Sequence, residues 1–550
     1  MTGLVTAFGS GAMTNSIEDI STQTEAYLII GSNTTEQHPI IGANIRQAVR
    51  QRGAKVVLAD PREIPIAEFA AIHLKHRPGS DIALLNAMMH VIIAEDLHDK
   101  QFIRERTEGF ESLKAGVEKY TPEHAQQITG VPAEDIRAAA RLLATSKPAS
   151  LLYAMGITQH TTGHQNVLSC ANLQMLLGNM GVPGGGVNPL RGQNNVQGAC
   201  DLGCLVNVYP GYQKVTEQDK HDKFLAAWGK TSPMRNGLTV VEMMNAAEEG
   251  RVKALFVLGE NPMMTDPDSN HVRKCLESLD FLVVQDIFLS ETAELADVVL
   301  PGAPFAEKDG TFTNTERRVQ RVRKAIEPPG NARADWEIIC DLARRLAKRF
   351  GLEGDRAPFT GWEYAHPSEI MAEIAALTPI YGGMSYERID QVGLQWPCTS
   401  PDHPGTPILH VGKFSRGLGK FNAVEWAPPA EEPDKEYPLV LTTGRVLHHW
   451  HGGGMTRRTD LELLYPEALV EIHPRDATPL GVENGDMTTV TSRRGRVVAK
   501  AQVTDRPRPG VVFMTFHFRE ASANVLTIAA LDPVAKIPEF KACAVRVEKA

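Results

Sequence analysis

One pattern occurs twice along this chain of 550 residues, and it restricts the fold more than any other feature. Residues 26 to 61 read AYLIIGSNTTEQHPIIGANIRQAVRQRGAKVVLADP. Tyr27 to Ile30 and Lys55 to Ala59 are short, largely apolar runs of the kind that form buried strands. Between them, Ile40 to Arg52 has helical spacing and stops at Gly53, the residue type that closes helices in the left-handed conformation. A strand, a helix and a second strand joined in this way make a parallel βαβ unit. Residues 254 to 286 repeat it as ALFVLGENPMMTDPDSNHVRKCLESLDFLVVQD. In each copy a glycine follows the first strand (Gly31, Gly259) and an asparagine comes two residues later (Asn33, Asn261). Each second strand ends on an aspartate (Asp60, Asp286), at nearly the same spacing in both copies.

The duplication suggests two related nucleotide sites. Neither loop is a Walker A or a GxGxxG motif, but a glycine at a strand end still permits the close backbone approach that a diphosphate needs. Asp60 and Asp286 would stand at strand carboxyl ends, where a carboxylate can accept from ribose hydroxyls or from the N1 and N2 donors of guanine. Each could equally cap the following helix.

Between the two units, residues 80 to 97 and 132 to 146 have helical patterns, followed by the strand SLLYAMG and the helix NVLSCANLQMLLGNMG. Then comes GVNPLRGQNNVQGACDLG, residues 186 to 203, with one arginine, five side-chain amides and little to pack. It reads either as the lining of a crowded polar pocket with Arg191 as its fixed charge or as a polar surface loop. Residues 350 to 435 look like a connecting stretch. Beyond it, LVLTTGR, ALVEIHP, DMTTVTSRRGRVVAKAQVT and GVVFMTFHF alternate at period two with turns between them, which points to an antiparallel β-barrel.

With net charge −9 and pI near 6.1, a general nucleic-acid binder is not expected. The basic clusters Arg317-Arg318 with Arg321 and Arg323, and Arg493-Arg494, read as solvated faces. No apolar run is long enough to span a bilayer, and MTGLVTAFGSGAMTN lacks the basic start of a signal peptide, so no membrane insertion and a cytoplasmic location are expected. A preceding segment would hide an export signal. The seven cysteines are scattered without a CxxC pair, so reduced, mostly buried thiols are the default.

Taken together, these segments resemble the molybdenum- or tungsten-dependent oxidoreductases that carry two molybdopterin guanine dinucleotides, and within them the large (alpha) subunit of formate dehydrogenase. The duplicated βαβ units match that family's two pterin-guanine sites. ELADVVLPGAPFAEKDGTFTNTERRVQ (294 to 320) matches a segment found broadly in it. LTTGRVLHHWHGGGMTRR (441 to 458) and HFREASANVLTIAALDPVAKIPEFK (517 to 541) match its C-terminal barrel, and VNPLRGQNN singles out formate.

The resemblance implies an α/β fold with two related Rossmann-like parallel-sheet domains and a C-terminal barrel of double-psi type. The domains would span 1–193, 194–349, a connecting segment 350–435, and 436–550. It implies that Arg191 faces the substrate carboxylate beside the metal, with its planar, permanently charged fork turning the C–H of formate toward that metal. Gln193 would hydrogen-bond the pterin edges. Gly31, Asn33, Asp60 and Arg62 would serve one dinucleotide, and Gly259, Asn261, Asp286 and Thr292 the other, with both loops facing one cavity. Gly444, Arg445, His451, Asn524 and Lys541 would reach the cofactors from the barrel. For HHWH a metal site is the alternative, although adjacent histidines lack the spacing of helical ligand pairs. The implied partners are formate or CO2, the upstream half of the same subunit, and an iron–sulfur or flavin electron-transfer subunit.

In that family the subunit begins with a 4Fe–4S domain. A metal-ligating cysteine or selenocysteine and a catalytic histidine then come shortly before a segment resembling GLVTAFGSGAMTN. Here the chain opens on that segment, and its first cysteine is Cys170. His160 and His164 lie on the wrong segment to stand in. The chain alone is therefore expected to carry no cluster iron and not to turn over formate. It would be a natural partial subunit, or the downstream product of a gene whose selenocysteine codon was read as a stop. A nitrate reductase-like or complex I subunit-like enzyme, or a cofactor-binding module without redox function, are the other readings.

Overall fold

A computed structural model describes residues 1–351 and 361–550. Two compact units emerge, one formed by Met1–Gly192, Pro262–Val272 and Ile408–Ala550, the other by Gln193–Asn261 and Arg273–Pro407.

The first unit is built on a five-stranded parallel sheet. Its strands run in the order Ile72–Leu74, Lys55–Ala59, Ala26–Ile30, Ala149–Tyr153, Val187–Pro189. The helix Pro39–Arg52 crosses between the first two strands of the chain and ends at Gly53, whose φ of 72° is left-handed. The central strand is buried along its whole length. Leu28 and Ile30 face the core shared with the helices Asp81–Ala94, Ala133–Thr145 and Gly163–Leu176, while Tyr27 and Ile29 face the helix Pro39–Arg52. Strands covered on both sides read as continuous apolar runs, which is why AYLII carries no alternation.

The same unit holds a closed six-stranded barrel: Leu439–Gly444, Val511–Thr515, Leu469–Ile472, Arg496–Val503, Met487–Thr491 and Cys543–Lys549, in that order around the circle. Period-two alternation predicts antiparallel neighbours, and four of the six pairings are antiparallel. The other two, Leu439–Gly444 with Val511–Thr515 and Leu469–Ile472 with Arg496–Val503, are parallel. Alternation reports that one strand face is buried and says nothing of a partner's direction. Both parallel pairs join strands that are not consecutive in the chain.

The second unit carries the second βαβ copy as a three-stranded parallel sheet, Val298–Pro301, Phe281–Asp286, Ala254–Leu258, and an antiparallel sheet of Gly310–Thr313, Arg318–Val322 and Leu394–Gln395. Residues read as a connecting stretch include the helix Pro367–Leu377, and residues 352–360 of that stretch lie outside the described ones. All seven cysteines are free, and only Cys204 is exposed.

Candidate functional site

The two glycines do the same local work. Gly31 and Gly259 have φ of 57° and 63°, and each donates its N–H to the neighbouring strand, Gly31 to Ala59 at 3.1 Å and Gly259 to Gln285 at 2.8 Å. Left-handed backbone at a strand end is what glycine supplies without penalty. At Gly31 there is a second reason. A Cβ there would lie 2.7 Å from the backbone of Gly156 and Ile157, whereas one at Gly259 would meet nothing within 4 Å.

The two asparagines diverge. Asn33 caps the short helix Thr34–Gln37 by accepting from the Glu36 N–H. Asn261 braces a turn, donating to Glu291 at 2.7 Å and accepting from the Thr292 N–H and hydroxyl at 3.2 and 2.8 Å. The aspartates cap no helix: Asp60 accepts from the Arg62 N–H at 2.9 Å, Asp286 from the Ile287 N–H at 2.7 Å, and the next helical turns have Ile64 and Thr292 at their cap positions.

After Gly31 the chain lines the first unit with polar atoms that have no protein partner. These are the hydroxyls of Ser32, Thr34 and Thr35, the amide nitrogens of Asn33 and Gln37, and Nδ1 of His38. Six such atoms on consecutive or near-consecutive residues cannot be an incidental packing flaw, since buried polar groups are almost always satisfied. His38 donates its other ring nitrogen to the Arg191 carbonyl at 2.7 Å. Burial, and then the charge of Arg445, push its pKa down to about 4, so the ring is neutral at physiological pH.

Around this loop stand two cations that no carboxylate contacts among the described residues, although the charge of Asp60 partly offsets that of Lys541. Burial lowers Arg445 to about 10. Lys541 is pushed down to about 7 by burial and then by Arg445, while its ammonium donates to the Thr443 carbonyl at 2.6 Å. Among the described residues no carboxylate pairs with either. Both keep part of their surface uncovered while protein encloses them on most sides. His451, at φ 47°, is lowered to about 4 by burial and by Arg445. A Cβ on Gly192 would come within 2.7 Å of the Arg445 guanidinium, and one on Gly444 within 2.6 Å of the Phe513 ring.

Two residues expected to serve the cofactors, Arg62 and Asn524, have protein partners here, and so does His449 of the HHWH stretch. Arg62 places its guanidinium on Glu471 of the barrel, Nε at 3.0 Å and Nη2 at 2.7 Å, stacked 3.4 Å over Phe513. Asn524 donates its amide to the Met264 carbonyl at 2.8 Å. In the HHWH stretch, His449 spends both ring nitrogens, on the Tyr465 carbonyl at 2.7 Å and the Thr456 hydroxyl at 3.3 Å. His160 is buried and donates to the Gly156 carbonyl at 2.9 Å.

In the second unit the amide-rich stretch forms the short helix Val196–Asp201. Half-buried Gln193 accepts from the Val196 N–H at 3.5 Å. Gln197 donates to Asp201, which also accepts from Tyr212, Tyr381 and Trp396. Asn195, left-handed at φ 57°, accepts from the Thr313 N–H. With Gln197, Gly198 and Asp201 buried, this segment is no surface loop.

Sequence reasoning passed over His38 and His517. His517 is 1% exposed, both ring nitrogens lack partners, and burial with the neighbouring His449 and Arg457 charges pushes it down to about 3. The SNTTEQH run after Gly31 was a usable signal for His38. Nothing local marks His517.

An α/β unit with a glycine-ended βα loop, a carboxylate at the next strand end, and a barrel supplying unpaired cations defines a protein that holds an anionic dinucleotide cofactor. Comparisons sharpen this. Residues 5–345 match the molybdopterin oxidoreductase family and residues 439–544 the molydopterin dinucleotide binding domain. The chain is 51% identical, over its whole length and 79% of the relative's, to the F420-dependent formate dehydrogenase 1 subunit alpha of Methanococcus maripaludis. It is 42% identical to formate dehydrogenase H of Escherichia coli, over 99% of this chain and 76% of that one. Acetylene hydratase from Pelobacter acetylenicus shares the fold, with a TM-score of 0.75 at 22% identity, covering 100% of this chain and 80% of that one. The chain belongs to the molybdopterin oxidoreductase family. It is an oxidoreductase similar to formate dehydrogenase alpha subunits, and no described helix is long and apolar enough to cross a membrane.

Proposed function

We propose that this chain is the formate- and cofactor-binding part of a formate dehydrogenase catalytic subunit, interconverting formate and CO2 with two molybdopterin guanine dinucleotides and Mo or W. Half-buried Arg445 and Lys541, with no carboxylate paired to either among the described residues, beside six unsatisfied polar atoms of the 32–38 loop, carry this reading. A donor set of that kind fits phosphates and the heteroatom edge of a pterin. Gly31, Asn33 and Asp60 receive one dinucleotide together with Gly444, Arg445, His451 and Lys541. Gly259, Asn261, Asp286, Thr292 and Gln193 serve the other. Arg62 and Asn524 support this site from behind, through Glu471 and Met264. The bound group supplies the two-electron redox chemistry.

Arg191 binds the formate carboxylate with its planar fork, and neutral His38 fixes Arg191 by holding its carbonyl. Electrons leave through an iron–sulfur or flavin subunit. The names of the methanogen relatives favour F420 as the final acceptor. A cytoplasmic location agrees with that route.

The test has two parts. Chain purified from a host that makes the cofactor should release two guanine nucleotides per chain on acid hydrolysis, and elemental analysis should identify the metal. Folded chain free of pterin would refute the reading. In the active, assembled enzyme, Arg191→Ala should lower kcat/KM by one to two orders of magnitude, since a charged hydrogen bond is worth roughly 1.5–3 kcal/mol. Arg191→Lys should fall less, with cofactor content unchanged in both. Lost cofactor with full specific activity in the residual holoenzyme would make Arg191 an anchor instead.

A further inference from the structure

The second unit holds a cavity of about 240 Å³ that none of the residues assigned to the cofactors lines. Three helices supply most of its wall. Trp228 is the last residue of Gln218–Trp228, Trp336 the second of Asp335–Arg349, and Glu373 lies within Pro367–Leu377. Trp362 and Tyr364, just before the third helix, complete it. On Asp335–Arg349, Trp336, Ile339 and Cys340 recur at three and four residues, so one helix face turns to the cavity. Pro367–Leu377 does the same with Ile370, Glu373, Ile374 and Leu377, and Glu373 is the one charge on that otherwise apolar face.

Four aromatic rings around one space would ordinarily close on one another, because protein interiors seldom leave voids larger than a water molecule. Here Trp228 packs back on Phe224, ring centres 4.7 Å apart. Among the described residues Trp336, Trp362 and Tyr364 have no aromatic ring within stacking distance. Trp362 stands in the left-handed region at φ 53°, uncommon for a bulky residue, with its carbonyl accepting from Arg344 Nη1 at 2.9 Å.

Half-buried Glu373 accepts from Trp228 Nε1 at 2.8 Å and from the Tyr364 hydroxyl, both neutral donors. Among the described residues no Lys, Arg or His pairs with it. Burial and this carboxylate push the Tyr364 pKa up, so the phenol stays protonated and the negative charge stays on Glu373. Aromatic faces attract cations, and a partly desolvated carboxylate gains from a counter-charge. A bare metal ion would leave the rings unused, and a neutral apolar molecule would leave Glu373 uncompensated. The cavity is also smaller than the roughly 300–1,000 Å³ typical of sites for drug-sized ligands.

We propose that this cavity binds a compact organic cation, an alkylammonium group whose methyl or methylene surface meets the Trp336, Trp362 and Tyr364 rings while its charge faces Glu373.

The test is calorimetric titration of the 550-residue chain with choline, and with 3,3-dimethylbutan-1-ol as its neutral isostere, at constant ionic strength. Choline should bind one to one with a Kd of about 1 mM or tighter, and the isostere about tenfold more weakly. Glu373→Gln keeps an acceptor for Trp228 and loses the charge. It should weaken choline about tenfold and leave the isostere where it was. Trp336→Leu should weaken both, and Trp450→Leu, in the other unit, neither. Melting temperatures check the fold, and Glu373→Gln carries the test alone if Trp336→Leu does not fold. Absence of saturable choline binding by wild type would overturn the proposal. So would an isostere that binds as tightly as choline, undiminished choline binding by Glu373→Gln, or loss of binding in Trp450→Leu.

Discussion

Glu471 sits on the barrel strand Leu469–Ile472 and accepts three charge-assisted hydrogen bonds, two from Arg62 and one from Arg506 Nη1 at 2.9 Å. Glu471→Ala would strand the Arg62 guanidinium where its side chain is 7% exposed and that of Glu471 only 4%. Breaking a buried pair by removing one partner costs about 3–5 kcal/mol. Arg506 is 31% exposed and can recover water, so Arg62 dominates the loss and the lower end of that range, about 3 kcal/mol, is expected. Arg62→Met should cost less, because Glu471 keeps Arg506. The double variant Arg62→Met/Glu471→Leu should fall short of the sum by about 2 kcal/mol, the signature of a direct pair. Urea unfolding followed by circular dichroism, with hydrogen exchange read on Leu469–Ile472, measures all three. A loss below about 1 kcal/mol for Glu471→Ala, or strict additivity, would refute the clasp. Loss of pterin in Arg62→Met at unchanged stability would instead make Arg62 a direct cofactor contact.

Gly31→Ala should destabilise far more than Gly259→Ala. Both pay roughly 1–2 kcal/mol for left-handed backbone, but only Gly31 also drives a Cβ to 2.7 Å from the Gly156 and Ile157 backbone, so equal melting shifts would contradict the geometry. Lys541 titrates near 7 in the folded chain against an ordinary 10.5, so the unfolded chain binds more protons between those values and stability rises with pH there. Lys541→Met should therefore raise the melting temperature of cofactor-free chain most at pH 7 and below, with the gain fading toward pH 10.5. A gain independent of pH would count against a buried, penalised ammonium.

The βαβ units were legible because their signals are local: an apolar run, a helix closed by Gly53, a glycine whose left-handed φ the strand end requires. The barrel strands were legible for the same reason, but their pairing was not, since Val440 meets Val511 through a direction that alternation does not encode. Side-chain roles were harder still. Arg62 and Arg445 look alike in sequence, each an arginine just past a strand end. The partner that separates them lies far away: Glu471, 409 residues along the chain, takes the fork of Arg62, and among the described residues nothing of opposite charge takes that of Arg445. A guanidinium enclosed by protein is tolerable only when something compensates its lost hydration. For Arg62 that compensation is already in the fold, so its contribution to a cofactor is indirect. For Arg445, with Lys541 and the unsatisfied 32–38 loop beside it, compensation has to come from an anion, and an anionic dinucleotide brings several charges to one place. The same test, whether a buried cation already has its counter-charge, separates structural from ligand-binding arginines in this chain where motif position alone could not.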